Sequence, residues 1–510
     1  MRARLAFGAL VGVLVAGLSL GVGELVAAFV RPDASPIIAV GNRIILITPE
    51  SLKRKLIGAV GTNDKDLLIT GILILLALFG AAVGVLALRN IYAGLTGVAA
   101  FGIFGMWCAL TDDASRGSDV IPTFVGTVVG MAALGILVEL ANRAEPAQPV
   151  RRGLTDRRSF LQGSAATAAL AAITGFGGRA EQHARFNVAA ARKRVHIPPA
   201  KTPDALPAGV DLGKSGVPWR TSNSDFYRID TSLTLPQIDP NDWQLRIHGM
   251  VDKEITLTFD QLRARPLVER WITLCCVSNE VGGNLISNAK WSGVLLADLL
   301  REAGVADDSD ELLMTSSQGM TIGSPTKVVM DGRDSLLAIG MNGQPLPIEH
   351  GFPVRVVVPG LYGYISACKW VVDIEATRFD RAIPYWVRGG WAAHPRIELA
   401  SRIDRPSSSE VVDVGSTVPI AGVAWDQHVG VSKVEVQVNN GSWLPARLGA
   451  VPSTDTWVQW VYPWKPPKSG TYTIRVRAID AHGMVQDPKG REPFPAGATG
   501  YHTITVHATV

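Results

Sequence analysis

The chain has 510 residues, of which 47% are hydrophobic and 18% charged, a balance that points to a membrane-associated part. A net charge of +4, with no basic cluster interleaved with aromatic residues, argues against nucleic acid as a partner. The four cysteines, Cys108, Cys275, Cys276 and Cys368, are too few for a disulfide framework and lack the CxxC spacing of a zinc site.

Residues 1–150 are dominated by four apolar runs, which predict a transmembrane helical region of four spans. The runs cover about 5–30, 67–88, 91–110 and 120–141, and each is near the ~20 residues that a helix needs to cross a bilayer. Glu24 and Glu139 lie near the ends of their spans, so an interfacial position is the simpler interpretation and proton or quinone chemistry the alternative. The basic stretch 31–66, with its apolar Ile44–Ile47, is expected to fold on the membrane surface or under the soluble domain.

Residues 151–180 form a fifth apolar segment, which opens with a pair of arginines. Arg157 and Arg158 precede Ser159-Phe160-Leu161 and a weakly apolar run of Ala, Gly and Thr. This order resembles a twin-arginine export signal, which serves proteins that cross a membrane already folded. A juxtamembrane basic stop signal is the alternative. The basic loop 142–158 predicts a cytoplasmic position, so that the chain from about residue 180 lies on the extracytoplasmic side of a multi-pass cell-membrane protein.

The remaining chain divides into a linker and two soluble domains. Residues 181–223 are rich in Pro, Ala and basic residues, which predicts a linker. Residues 224–400 mix strand and helix patterns, among them a helix over 297–304 that ends at Gly304 and a buried strand within 352–360. In residues 401–510, alternating stretches such as KVEVQV (433–438) and TYTIRVRAID (471–480) predict about seven short strands of an immunoglobulin-like sandwich.

The stretch WITLCCVSNEVGGNLISNAKW (271–291) holds the candidate reactive residue. Cys275 and Cys276 end a strand-like run, and turn-forming residues follow them. A thiolate at such a junction is well placed to meet a cofactor. The apolar neighbours alone would raise the pKa of the thiol and keep it protonated, whereas coordination to a metal would remove the proton. For an isolated pair, two buried structural cysteines would be the simpler interpretation.

The flanking residues change that interpretation, because they resemble the metal-ligand segment of the sulfite oxidase family. That family has Thr-Leu-x-Cys-x-x-Asn followed by Ala-x-Trp-x-Gly-x-x-Leu. The residues that fall into register are Thr273, Leu274, Cys276, Asn279, Ala289, Trp291, Gly293 and Leu296. The resemblance implies that Cys276, and not Cys275, is the ligand of a molybdenum ion.

The resemblance covers most of 224–510 and implies one molybdenum–molybdopterin cofactor per chain. The segment 225–249 is similar to the start of the family's cofactor domain, and MNGQPLPIEHGFPVRVVVPG (341–360) is close to its consensus. Arginine and lysine suit the pterin phosphate, and a thiolate suits the metal. Taken singly, His350, Arg355 and Lys369 could be ordinary structural or surface residues. They favour a cofactor site because they occur together and in the same order as in the family. The cofactor-binding residues implied are Phe226, Tyr227, Arg228, Asn279, His350, Arg355, Ala367, Cys368 and Lys369.

Departures from the family pattern concern the substrate side of the site. Glu280 and Val281 stand where sulfite oxidases have two arginines, and Arg491 is the only arginine near a further substrate position. Trp391 stands at the family's active-site tyrosine and is expected to be catalytic together with Cys276 and Arg228. A buried dianion needs paired positive charge, so sulfite is predicted to be a poor substrate and a sulfoxide-like molecule a better one. An aspartate that contacts the cofactor in the family falls near Ser316 or Ser317.

The sequence therefore predicts N-terminal transmembrane α-helices, an α+β sulfite-oxidase-type molybdopterin domain and a C-terminal all-β immunoglobulin-like sandwich. The expected function is a two-electron oxygen-atom transfer outside the cytoplasm. The expected partners are membrane lipid, a separate cytochrome or quinone, and a second copy of the chain through the dimerisation domain at 401–510. A true sulfite oxidase or dehydrogenase, a non-catalytic membrane-tethered module and a transporter are the alternatives. The helical region would anchor the chain, or conduct electrons to quinone, although no span holds a histidine to ligate haem.

Overall fold

The computed structural model describes residues 2–49, 52, 64–112, 115–144, 154–185, 187–213 and 217–510. The predicted boundary at 150–151 lies outside the described residues. Contacts divide the chain into two units. The helical unit is Met1–Val188 with Thr231–Gln237, and the β-rich unit is Ala189–Asp230 with Ile238–Val510.

Long apolar runs form the helices of the helical unit. Five of its described helices are long and apolar enough to cross a membrane, which agrees with the four predicted spans and the fifth apolar segment. The central helix α1 packs against α3, α5 and α6. The bounds are α1 Arg2–Val30, α2 Pro36–Ile47, α3 Asp64–Ala87, α4 Ile91–Leu110, α5 Val120–Ala144 and α6 Leu154–Arg185.

Glycines allow α1 and α3 to meet backbone to backbone. A Cβ placed on Gly12 would lie 1.8 Å from the carbonyl oxygen of Gly80, and one on Gly84 would lie 2.1 Å from that of Gly8. Small residues at helix interfaces are the usual way in which membrane helices gain close van der Waals contact. This pair of helices therefore depends on residues that have no side chain.

Three features of the helical unit bear on the sequence predictions: the stretch Ile44–Ile47 and the carboxylates of Glu24 and Glu139. The apolar stretch Ile44–Ile47 forms the last turn of α2, a short helix that packs against α4. Glu24 is buried, with 5% of its surface exposed, and its carboxylate accepts a hydrogen bond from Ser35 Oγ at 2.6 Å. Its backbone oxygen accepts a bond from Gln182 of α6. Glu139 instead forms an exposed ion pair with Arg143, four residues later on the same helix.

Most of the segment predicted as a linker, from Ala189 onward, belongs to the β-rich unit and packs within it. The Lys201 amide donates a hydrogen bond to the Leu267 carbonyl, and Thr202 forms an isolated parallel β-bridge with Val268. Trp219 is 2% exposed and its ring lies 4.7 Å from that of Trp271. Helical structure in the described part of this stretch is limited to the last residues of α6, which ends at Arg185, and the short helix α7, Ala189–Arg194.

The first part of the β-rich unit contains two sheets. One has the order β2-β1-β10-β5-β6, and the other the order β3-β4-β7-β8 with β9 paired to β7. Its helix α9 ends at Gly304, whose left-handed backbone closes the C-terminus as predicted. The strands are β1 Gln244–Gly249, β2 Ile255–Thr258, β3 Val268–Cys275, β4 Ile286–Leu295, β5 Glu311–Ser316, β6 Thr321–Pro325, β7 Leu336–Met341, β8 Gln344–Pro345, β9 Arg355–Val357 and β10 Val371–Thr377. The helices are α8 Phe259–Arg263, α9 Leu296–Ala303, α10 Thr326–Met330, α11 Gly363–Ser366 and α12 Tyr385–Arg388.

The second part is the sandwich that alternation predicted. Its sheets have the orders β11-β13-β17-β16 and β12-β19-β18-β14-β15. Ile474 and Val476 of β18 are fully buried beside Trp460, while Arg475 between them points outward, so one face of each sheet forms the core. The strands are β11 Ala400–Arg405, β12 Val411–Asp413, β13 Val418–Trp425, β14 Val431–Val438, β15 Leu444–Pro445, β16 Arg447–Leu448, β17 Val458–Trp464, β18 Gly470–Asp480 and β19 Thr503–Thr509.

Candidate active site

Cys276 is the first residue after β3 and opens a tight loop. Its amide donates to the Leu285 carbonyl at 2.9 Å, and its carbonyl accepts from the Asn279 amide at 3.0 Å. The Asn279 side chain closes the loop, since its Oδ1 accepts from the Leu285 amide at 2.8 Å. Asn279 therefore shapes the loop that presents the thiol.

The two adjacent cysteines occupy different environments. Cys275 packs in the large hydrophobic core of the β-rich unit, and Cys276 is not part of that core. Burial raises the pKa of the Cys276 thiol, and a hydrogen bond from Ser278 partly opposes it. Coordination to a metal cation would be needed to hold Cys276 as a thiolate near neutral pH.

Phe226 and Tyr227 connect the cysteine to the rest of the site. The Phe226 ring lies 5.6 Å from Trp291 and 5.4 Å from His350, with both contacts edge-on. Burial raises the pKa of Tyr227 well above its usual value, and Cys276 and Arg355 are both close enough to influence it. These contacts bring the predicted residues from three sequence segments into one place.

Arg355 supplies a buried positive charge that no carboxylate neutralises by direct contact within the described chain. It is 4% exposed, and its Nη1 donates to the His350 carbonyl at 3.1 Å. Its guanidinium lies 4.9 Å above the Trp291 ring. Burial lowers the pKa of Arg355 to about 10. Because a buried cation needs an anion, this arrangement suits an anionic ligand.

Lys369 and Arg228 share one carboxylate, that of Asp230. Lys369 Nζ lies 3.0 Å and Arg228 Nε 2.9 Å from Asp230 Oδ2, and the Asp230 side chain is only 3% exposed. Burial lowers the pKa of Lys369 to about 8, although Asp230 opposes the shift. Together with Arg355, these residues form a group with three cations and one anion, which we call the cationic cradle.

His350 is held as a neutral imidazole beside the cationic cradle. Burial, followed by the charge of Arg355, lowers its pKa to about 4. Its Nε2 lies 3.1 Å from the Asn223 carbonyl, which can only accept, so Nε2 carries the proton. The ring is thereby fixed in one tautomer and orientation.

Ala367 and Cys368 contribute mainly backbone to the site. The Ala367 carbonyl lies 3.5 Å from Arg355 Nη2, and the Cys368 carbonyl accepts from the Val356 amide. Burial raises the pKa of the Cys368 thiol to about 12, so it stays protonated. Nearby, the Ser317 amide donates to the Trp370 carbonyl, while the buried Ser317 hydroxyl has no hydrogen-bond partner in the described chain.

Trp391 is 5% exposed, and its indole Nε1 donor is buried without a hydrogen-bond partner among the described residues. Its ring packs against Tyr364 at 5.9 Å and Phe494 at 5.2 Å. Gly363, the neighbour of Tyr364, lies beside the Tyr227 hydroxyl and the Cys275 carbonyl. Trp391 is thus linked to the neighbourhood of Cys275 only through Tyr364 and Gly363, and its indole donor is free among the described residues.

These residues fit a molybdopterin with its metal. The cationic cradle and the unpaired hydroxyl of Ser317 suit an anionic, hydrogen-bonding cofactor, and Cys276 offers a single thiolate. Among the described residues, no three His, Cys, Asp or Glu side chains group to hold a metal ion by themselves. A metal at Cys276 would therefore need further ligands from its cofactor.

Several contributors could not be identified from their local sequence. Asp230 and Asn223 hold Lys369, Arg228 and His350 in place. Asn342 has a left-handed backbone and bonds the Asn223 side chain. The Asn-Gly pair at 342–343 signals a turn, but the pairing with Asn223 is visible only in the fold.

Comparisons with known proteins define the class. The model of the family described as "Oxidoreductase molybdopterin binding domain" matches residues 232–385, and that of "Bacterial Ig domain" matches 400–476. The chain is 34% identical over 153 residues to the uncharacterized oxidoreductase YuiH of Bacillus subtilis, covering 30% of this chain and 74% of that protein. It is a molybdopterin-dependent oxidoreductase. More specifically, the chain belongs to the sulfite oxidase-like family of these enzymes.

Other relatives are matched over a smaller share of their length. Mouse mitochondrial sulfite oxidase is 32% identical over 273 residues, which are 45% of this chain and 49% of that protein. The chain thus spans about half the length of the mammalian relatives that it matches. The solved sulfane dehydrogenase SoxCD of Paracoccus pantotrophus is 23% identical, with a TM-score of 0.47, and the match covers 56% of this chain and 80% of that one.

Proposed function

We propose that this protein is a membrane-anchored, extracytoplasmic enzyme that transfers an oxygen atom to or from a small uncharged molecule of the sulfoxide type. The charge of the cavity beside the Cys276 loop carries the proposal. The cavity has about 350 Å³ of space, counting its mouth, and is lined by Cys275, Glu280, Val281 and Glu398, among other residues. Cys276 itself is not among the described lining residues, so the cavity borders the loop and not the thiol. The nearby Arg491 pairs with Glu398 and is thus already neutralised.

This lining disfavours a dianion. Among the described residues, sulfite would have to approach the carboxylate of Glu280 without an unpaired arginine on this side of the loop, since Glu398 and Arg491 neutralise each other. A neutral sulfoxide does not meet that repulsion. The proposal therefore places substrate selection at Glu280 and Val281, the positions where the family has arginines.

Each residue has a defined role in the proposed reaction. The bound molybdenum cofactor supplies the two-electron exchange of an oxygen atom. Cys276 anchors the metal, and the cationic cradle with neutral His350 binds the pterin and its phosphate. Trp391 donates its free indole N–H to the substrate oxygen and, with its aromatic neighbours, limits access of water. Arg228, paired with Asp230, lies at the more exposed edge of the cradle.

The proposal also includes the position in the membrane. The exposed Arg157 and Arg158 at the start of α6 support export of a folded β-rich unit by the twin-arginine route. Electrons would pass to a separate cytochrome or quinone, and 401–510 would pair two copies. The membrane position is supported by the order of charged and apolar segments, and the pairing of two copies by the sandwich at 401–510.

Elemental analysis tests the site directly. Wild type should hold about one molybdenum per chain. Cys275→Ser should hold the same amount with an unchanged metal spectrum, because Cys275 faces the core. Cys276→Ser should show an altered metal spectrum. Folded wild type without molybdenum would instead favour a binding module on the same fold.

Steady-state kinetics tests the substrate. We expect kcat/KM for sulfoxides to exceed that for sulfite, and the double substitution of Glu280→Arg with Val281→Arg to raise kcat/KM for sulfite. Efficient sulfite oxidation by wild type would refute the proposed substrate class and favour a true sulfite oxidase.

A further inference from the structure

The helical unit contains an apolar cleft to which the proposed reaction assigns no role. It has about 850 Å³ of space, counting its mouth, and lies between α1, α2, α3, α4 and α5. Its walls include Ala16, Val40, Leu76 and Val98, and none of the described residues that line it is charged. A ligand of this cleft must be mostly apolar and uncharged.

Two hydroxyl groups in the wall, those of Ser19 and Thr123, are buried without a hydrogen-bond partner in the described structure. Thr123 lines the cleft and is 8% exposed, yet its hydroxyl makes no hydrogen bond in the described structure. A threonine in a membrane helix commonly donates to the carbonyl four residues earlier, as Thr127 does to Thr123 at 2.7 Å. Because a buried unpaired hydroxyl costs free energy, Thr123 is suited to donate to a carbonyl group of a bound ligand.

Aromatic side chains on the cleft suit a flat ring. Phe79 and Phe101 both line it, and their rings stack at 5.2 Å with 29° between their planes. Offset stacking of a further ring on such a pair is favourable. A phospholipid headgroup, by contrast, would find no counter-charge among the described lining residues.

One wall of the cleft lies near the segment Thr231–Gln237. Ile72 lines the cleft, and a Cβ on Gly41 would touch both Ile72 and Leu233. Lys65 Nζ also donates to the Ser232 carbonyl. This segment directly follows Asp230 of the cationic cradle in the chain.

We propose that this cleft binds an isoprenoid quinone, with Thr123 Oγ1 donating to a quinone carbonyl and the chain of the quinone lying among the aliphatic side chains. The inference rests on the proposed function, which requires a two-electron partner. In that reaction one quinol supplies the two electrons and two protons that convert a sulfoxide to a sulfide and water. The quinone is the two-electron product of the exchange.

The test is binding of a short-chain benzoquinone to the full-length protein in nanodiscs of synthetic phosphatidylcholine. Tryptophan fluorescence quenching should saturate for wild type, and Thr123→Val should weaken binding about fivefold, as expected for one lost hydrogen bond. Thr174→Val is the matched control, because Thr174 lies outside the cleft and its hydroxyl already bonds Leu170 of its own helix. A photoreactive quinone should label cleft residues.

Two outcomes would overturn the inference. One is quenching that does not saturate, or that is the same in wild type and Thr123→Val. The other is a cleft filled by a phospholipid acyl chain that quinone does not displace, detected by native mass spectrometry. Cys276→Ser should bind the quinone as wild type does, so failure of the molybdenum site and failure of the cleft are distinguishable.

Discussion

The charge of Lys369 depends on its place in the cationic cradle. Its pKa of about 8 means that the ammonium is present below pH 8 and lost above it. We therefore expect cofactor-free protein to bind sulfate, a phosphate analogue of constant charge, more weakly as pH rises, by up to about tenfold per unit above pH 8. Isothermal titration between pH 7 and 9 measures this, with Lys369→Met as the reference. An equal pH dependence in Lys369→Met would assign the effect to another group.

Glu311 of β5 is a second residue whose ionisation the fold controls. It is fully buried, neither carboxylate oxygen has a hydrogen-bond partner in the described chain, and burial raises its pKa to about 8. Its Oε1 lies 2.1 Å from where a Cβ of Gly323 would be, so the carboxyl fills the space beside that glycine. The folded protein therefore holds the protonated form.

This raised pKa has a defined effect on stability. The folded state binds more protons than the unfolded state between about pH 4.5 and 8, so stability falls as pH rises through that window. Glu311→Gln should match wild type near pH 4.5 and exceed it by about 2–4 kcal/mol at pH 8. Thermal unfolding at both pH values measures the difference. The exposed Glu254→Gln is the control, and a gap that does not change with pH would contradict the assignment.

At the scale of elements, helix α9 depends on the glycine that ends it. Gly304 has φ +68, and a Cβ there would lie 2.3 Å from Asp252 Oδ2. Gly343, in the turn between β7 and β8, has φ +78, and a Cβ on it would meet no described atom within 4 Å. Both backbones are left-handed, but only Gly304 is also crowded.

Alanine substitutions at Gly304 and Gly343 separate the cost of a left-handed backbone from the cost of a steric clash. Gly343→Ala should destabilise the fold by about 1 kcal/mol, as expected for an alanine with a left-handed backbone. Gly304→Ala should destabilise it more, because Asp252 must also move. The difference between the two melting temperatures measures the steric part. Equal losses would mean that Asp252 adjusts freely.

Helices and strands were predictable where the hydrophobic period is strong. Alternation in β14 and β18 marked the sandwich, and continuous apolar runs marked the long helices. The short β9 and the packing of Trp219 were not readable in this way. Their backbone hydrogen bonds and burial are provided by residues far away in sequence.

At the scale of the whole molecule, α6 precedes the β-rich unit. It runs over 32 residues, about 48 Å at the usual rise, which exceeds the thickness of a bilayer core. If it serves as a twin-arginine signal, replacing Arg157 and Arg158 by lysine should leave the β-rich unit in the cytoplasm. Protease added to intact spheroplasts would then no longer degrade it. Alanine at the exposed Arg185 is the control, and unchanged degradation would favour an ordinary stop signal.

The amino-acid sequence was enough to indicate the family, the candidate ligand Cys276 and the three-part architecture, because these depend on local motifs and on hydrophobic periodicity. The sequence also indicated the basic residues of the site, because they occur in the same order as in the motifs of the family. The folded chain was needed to reveal that Asp230 forms ion pairs with both Arg228 and Lys369, that Glu311 is buried without a hydrogen-bond partner in the described chain and that Thr231–Gln237 belongs with the helices. These features arise from burial and from contacts between distant segments, and neither leaves a periodic trace in the sequence.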